Sequence, residues 1–101
     1  MPFVSVARLA DIPVGRGKQI AVNGRTIALF ADGDRVYAIS GICPHRGAPL
    51  SDGMCKDGQV MCPWHAARFD LATGKNLCPP ALEAVAVFPV QVVGDDVQVD
   101  A

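Results

Sequence analysis

Two short segments hold the residues best suited to chemistry: Cys43-Pro44-His45 and Cys62-Pro63-Trp64-His65. Between them they contain both His and two of the four Cys of the 101-residue chain. Each pairs a thiol with an imidazole a few positions later, and sixteen residues separate His45 from Cys62. A lone Cys-x-His would read as a buried thiol beside a satisfied imidazole. Two matched pairs, each with Pro directly after its Cys and small residues close behind its His, read as a metal-ligand set.

Two metal readings compete. Two thiolates and two imidazoles can hold one tetrahedral zinc. Structural zinc sites usually pair Cys with Cys and His with His along the chain, whereas each arm here mixes the two. The mixed arrangement suits a [2Fe–2S] cluster with Cys on one iron and His on the other. Each loop would then send one ligand to each iron, and the cluster would staple the two loops together.

Such loops need a rigid frame, and the remaining sequence reads as short strands. Runs rich in Val, Ile and Phe cover 3–9, 18–22, 25–31, 35–40, 59–61, 85–93 and 97–100. They are punctuated by Asn23-Gly24, Asp32-Gly33, Asp57-Gly58, Thr73-Gly74 and Gly94-Asp95. Asn23-Gly24 between two such runs is a strong two-residue hairpin signal. Asp32-Gly33-Asp34 reads as the next hairpin and Gly94-Asp95-Asp96 as the last. No window keeps a helical period beyond a turn or two, with single turns expected at 9–12 and 81–86. The expected class is all-β: small antiparallel sheets, sandwich or barrel-like. About 40–80 differs in texture, holding five of the eight Pro, all four Cys and both His. That is loop composition carrying function.

The length allows one domain, 1–101, with no room for a second core. A net charge of −1 argues against a nucleic-acid binder. The charge is uneven, +3 over residues 1–50 and −4 over 51–101, which reads first as two solvated faces and second as a docking surface. No apolar stretch approaches a membrane span, and the first residues lack a secretion-signal layout. The expectation is a cytoplasmic chain, not membrane-bound, with reduced thiols and no disulfide framework.

The sequence resembles the Rieske family. The resemblance rests on Cys43-Pro44-His45-Arg46-Gly47, Cys62-Pro63-Trp64-His65 and Arg68-Phe69-Asp70-Leu71-Ala72-Thr73-Gly74. Leu50-Ser51-Asp52-Gly53, Cys78-Pro79-Pro80 and the closing strands extend it over essentially the whole chain. It implies an iron–sulfur fold of small antiparallel sheets with a loop-rich cluster-binding subdomain. It implies that Cys43 and Cys62 ligate the inner iron of one Rieske-type [2Fe–2S] cluster, and His45 and His65 the outer one. Cys78-Pro79-Pro80 would form a third covering loop. Gly47, Ala48, Ala66 and Ala67 would let backbone N–H groups reach the cluster sulfurs.

Two ferric ions, two sulfides, two thiolates and neutral imidazoles sum to zero charge, so an added electron enters more easily than in an all-Cys cluster. Reduction should raise the His pKa values and link proton to electron at high pH. High-potential relatives carry an extra disulfide and two hydroxyls near the cluster. The matching positions here are Ala48 and Trp64 for the disulfide, and Ala67 and Phe69 for the hydroxyls. Without those groups the reduced state is less stabilised, and the potential should lie near the low end, on the order of −150 mV.

The resemblance thus implies a low-potential ferredoxin, not itself an enzyme. It would carry single electrons from a flavin-containing ferredoxin reductase to a terminal non-haem iron oxygenase of an aromatic-ring-hydroxylating system. The alternative is the small Rieske subunit of an assimilatory nitrite reductase, and a zinc-stabilised interaction module stands behind both. An oxygenase site of its own would need two more His. The expected carrier is a monomer that docks transiently near His45, His65 and Trp64. Trp64 reads equally as a docking residue and as loop packing. Arg46 and Arg68 read as solvated charge or as steering cations for an acidic partner. Cys55 and Cys78 read as small buried side chains, and Phe69 as core.

Overall fold

The computed structural model describes residues 3–13, 15–32, 35–42, 49–62, 68–75, 77 and 85–101. Ten strands occur among them: β1 (Val4–Arg8), β2 (Gly17–Val22), β3 (Arg25–Asp32), β4 (Arg35–Ser40), β5 (Met54–Lys56), β6 (Gln59–Met61), β7 (Arg68–Asp70), β8 (Val87–Phe88), β9 (Val90–Val93) and β10 (Asp96–Val99). Two single 3₁₀ turns, Leu9–Asp11 and Leu50–Asp52, are the helical elements of the described residues. The strands form three antiparallel sheets, ordered β1-β10-β9, β2-β3-β4-β8 and β5-β6-β7.

Local chemistry explains the hairpins. Asn23 and Gly24 both take positive φ, 51° and 80°, and join β2 to β3 across the Val22↔Arg25 pair. That is the backbone a type I′ turn demands. Asp57 and Gly58 do the same between β5 and β6, with φ of 54° and 76°. Gly94 at φ 63° opens the two-residue turn from β9 to β10, where only its first position needs a glycine. β3 and β4 pair down to Asp32↔Arg35, and the intervening Gly33 and Asp34 lie outside the described residues.

Strand β3 is the centre of the molecule. Ile27, Ala28, Leu29 and Phe30 are all fully buried, because both of its faces are covered. Successive side chains of a strand point to opposite faces. Ala28 and Phe30 join Ile39, Leu50, Cys55, Val60, Cys62, Phe69, Leu71 and Val85 in one core. Ile27 and Leu29 join Ile12, Val22, Ala38, Val97 and Val99 in the other. The four-stranded sheet therefore has the β5-β6-β7 sheet against one face and the β1-β10-β9 sheet against the other.

Several boundaries depart from the sequence reading. The single run expected over 85–93 is two strands, since Pro89 has no N–H to give a ladder and turns the chain from β4's edge to β10's. β5 and β7 were not expected as strands. The turn at 9–12 is present as Leu9–Asp11; of the turn expected at 81–86, residues 81–84 lie outside the described residues, and Val85 and Ala86 are not helical. The acidic second half includes a solvated network on the outer face of β10. There the Asp96 carboxylate accepts hydrogen bonds from Gln98 Nε2 at 2.7 Å and Ser5 Oγ at 2.6 Å, which hold its pKa below the ordinary value.

Candidate metal centre

The two ligand-bearing segments leave the frame in the same way. Ile42 and Pro49 face each other in an antiparallel bridge, and the Leu50 N–H donates to the Gly41 carbonyl at 2.8 Å. These contacts close the base on either side of the interval 43–48. Met61 pairs with Arg68 at the end of the β6–β7 ladder, on either side of the interval 62–67. Each interval begins with a Cys in the sequence. Among the expected ligands, Cys62 is described; Cys43, His45 and His65 lie outside the described residues, as do Arg46, Trp64, Cys78 and the covering segment 79–80.

Cys62 is in no disulfide and is only 1% exposed, packed in the core that Phe30, Val60 and Phe69 share. Its strand explains its placement. In β5-β6-β7 the cross-strand row Cys55–Val60–Phe69 points inward and is buried, while Met54–Met61–Arg68 points outward and is exposed. Cys62 follows Met61 and returns to the buried side, at the point where the chain enters the second loop. A buried thiol outside any disulfide, at the point where the chain leaves β6, fits a thiolate ligand to a bound group. The donor set expected from the sequence, two thiolates from Cys43 and Cys62 and two imidazoles from His45 and His65, is of the chemistry such a cluster requires.

Beyond Leu71 the sheet is buttressed by backbone bonds. The Leu71 N–H donates to the Gly58 carbonyl at 2.8 Å, and the Gly74 N–H donates to the Asp70 carbonyl at 2.7 Å. Val85 N–H donates to Gly74 at 2.8 Å and brings the chain back to the base of the site.

A Rieske [2Fe-2S] domain profile matches residues 3–89. The chain belongs to the Rieske [2Fe-2S] family. Its cofactor is one Rieske-type [2Fe–2S] cluster. This Rieske chain is 38% identical over 90 residues to the ferredoxin component of the naphthalene 1,2-dioxygenase/salicylate 5-hydroxylase systems of Ralstonia sp, covering 89% of this chain and 86% of that one. It is 43% identical over 93 residues to the 3-phenylpropionate/cinnamic acid dioxygenase ferredoxin subunit of Shigella flexneri serotype 5b (strain 8401), covering 91% and 87%. Among solved structures, the ferredoxin of carbazole 1,9a-dioxygenase from Nocardioides aromaticivorans IC177 superposes with a TM-score of 0.91 at 34% identity, over 98% of this chain and 97% of that one. The ferredoxin in a complex of reduced oxygenase and oxidized ferredoxin of carbazole 1,9a-dioxygenase gives 0.87 at 28%, over 96% and 91%. A putative NADH-dependent nitrite reductase small subunit from Mycobacterium tuberculosis gives 0.84 at 28%, over 98% and 96%. The fold expectation holds: the Rieske chain is all-β, in small antiparallel sheets.

The other described thiol, Cys55, is buried as expected at 9% exposure and also free. Burial pushes its pKa up to about 11 from 9.0, and the nearby Asp32 carboxylate adds to the shift. The folded chain therefore holds this proton more tightly than the unfolded chain. Stability is unaffected below pH 9 and falls as pH rises from about 9 to about 11, by at most about 1.4 kcal/mol per pH unit. Unfolding midpoints of Cys55→Ala across that interval should lack this component of the alkaline decline. A variant that declines as steeply as the parent would remove Cys55 as its source.

Proposed function

We propose that this chain is a low-potential Rieske-type ferredoxin that carries single electrons from a flavin-containing reductase to a terminal non-haem iron oxygenase of an aromatic-ring-hydroxylating system. The observation that carries the reading is the end-to-end correspondence with dioxygenase ferredoxin components. One domain, 1–101, holds the cluster-binding portion at about 40–80. When bound, the cluster accepts and releases one electron at a time.

The residues of this chain provide everything around that exchange. Cys43, His45, Cys62 and His65 hold the cluster. The inward row Cys55–Val60–Phe69 and the closed loop bases fix the loops to the frame. The oxygenase meets the carrier near His45, His65 and Trp64, and the reductase uses the same end in turn. A carrier that must dock, discharge and leave repeatedly needs a small, weak contact, and a monomer suits it. No helix of the described residues is long and apolar enough to cross a membrane, which accords with a cytoplasmic carrier.

The test is to purify the tagged protein from its native cells and measure absorption and native mass together. A brown monomer that passes electrons from a flavin reductase to a ring-hydroxylating oxygenase is the expected result. A brown chain locked in a large complex with sirohaem absorption would make it a nitrite reductase subunit. A colourless zinc protein would make it an interaction module. Trp64→Ala should slow transfer to the oxygenase about tenfold, the range for an aromatic anchor at an interface. Its potential should stay that of the parent; transfer at the parental rate would mean that Trp64 packs the loop and does not dock.

A further inference from the structure

We propose that Gly53 is a positioning residue for the cluster: its missing side chain sets how closely the bases of the two ligand loops approach. The inference rests on the cluster reading above. Gly53 closes the 3₁₀ turn Leu50–Asp52, which follows directly on the closed base of the first loop. Its N–H donates to the Leu50 carbonyl at 2.9 Å. It directly precedes β5, and continuing the register of the Met54↔Met61 pair by one position puts Gly53 opposite Cys62. One residue thus joins the base of the first arm to the root of the second.

Its backbone shows why it is a glycine. φ is −76° and ψ 160°, an extended conformation that any residue adopts. Conformational freedom is therefore not the reason. Space is: a Cβ here would overlap the Met61 carbonyl oxygen and stand 3.2 Å from its carbon and 3.1 Å from the Leu50 oxygen. Those neighbours are backbone atoms, not the ends of flexible side chains, so they cannot step aside cheaply. Gly53 itself is buried. Met61 immediately precedes Cys62, whose side chain is enclosed. A methyl group at 53 must therefore part the two arms, and the part that moves carries a ligand root. Ligand placement and the contacts around a cluster tune its potential.

The experiment compares purified holoproteins of the parent, Gly53→Ala, and the graded core variants Val97→Ala and Val99→Ala. Val97 and Val99 are fully buried in the other core, separate from the one that holds Leu50 and Cys62. They supply a loss of Tm without a change at the loop bases. Reduction potential and the electron paramagnetic resonance spectrum of the reduced protein are the readouts. Gly53→Ala should change the potential by an amount equal to threefold or more in the electron-exchange equilibrium with the parent, and shift the g values. The Val variants should keep both, at equal or greater loss of Tm. If Gly53→Ala is recovered without a cluster while the Val variants of equal or lower Tm retain theirs, the positioning role stands. Loss from all of them, or a parental potential and spectrum in Gly53→Ala, overturns it. A parent chain without a Rieske spectrum would instead overturn the cluster reading itself, which separates the two failures.

Discussion

Replacing His45 or His65 by Ala removes the Rieske spectrum. On the proposed ligand set, each substitution takes away one of two neutral ligands, and methyl groups offer no donor in return. The expected product is a chain that purifies with little colour, or with a cluster whose absorption and paramagnetic spectra are no longer of Rieske type. His65→Cys is the informative partner. It keeps four donors but exchanges a neutral imidazole for a thiolate, adding one negative charge to the cluster. The reduced state then becomes harder to reach, and the potential falls toward that of all-thiolate clusters. The paired result tests ligand identity and charge separately. An unaltered spectrum in either Ala variant would remove that His from the ligand set.

Phe69→Ala should cost about 3–5 kcal/mol, the range for deleting a buried aromatic ring. Phe69 is fully buried, faces Val60 across the β6–β7 pair and packs in the core that also encloses Cys62. A domain of this size has about 5–15 kcal/mol in all, so the variant should lose a large share of its stability. Denaturant unfolding of the holoproteins reads this directly, with the midpoint falling and the slope little changed. Phe69→Leu, which refills part of the space, should recover a good part of the loss. A cost under about 1 kcal/mol for the Ala variant would be incompatible with a ring packed as this one is.

The sequence makes some of this architecture plain and hides the rest for identifiable reasons. Asn23-Gly24 announces its hairpin because both residues tolerate positive φ, and both adopt it. The strands at 35–40 and 59–61 have the bounds expected. β5 and β7 escape a propensity reading because Met-Cys-Lys and Arg-Phe-Asp are three residues long and lack β-branched side chains. Their extended form comes from pairing with β6, a tertiary cause. The turn Leu50–Asp52 is too short to carry a period. At the site, the cofactor class is legible because coordination chemistry restricts the types and spacing of Cys and His. The matching loop bases, Ile42 with Pro49 and Met61 with Arg68, are not, since a bridge partner leaves no mark on composition. The equal six-residue intervals that each begin with Cys were the available clue. Gly53 was visible only as part of Leu50-Ser51-Asp52-Gly53, and its ordinary φ shows that no turn rule would have singled it out.

The pairing of β1 with β10 has a consequence for how the protein is born. Within its sheet β1 bonds only to β10, and the Ser5–Asp96 contact spans 91 positions of sequence. At ordinary rates of translation, roughly 5–20 s pass between making one end of that contact and making the other. The β2–β3–β4 and β5–β6–β7 hairpins need only near neighbours, so they can assemble on the ribosome in the meantime. The nascent chain therefore has the means to build the strands that flank both Cys-His segments while its first strand still waits for a partner.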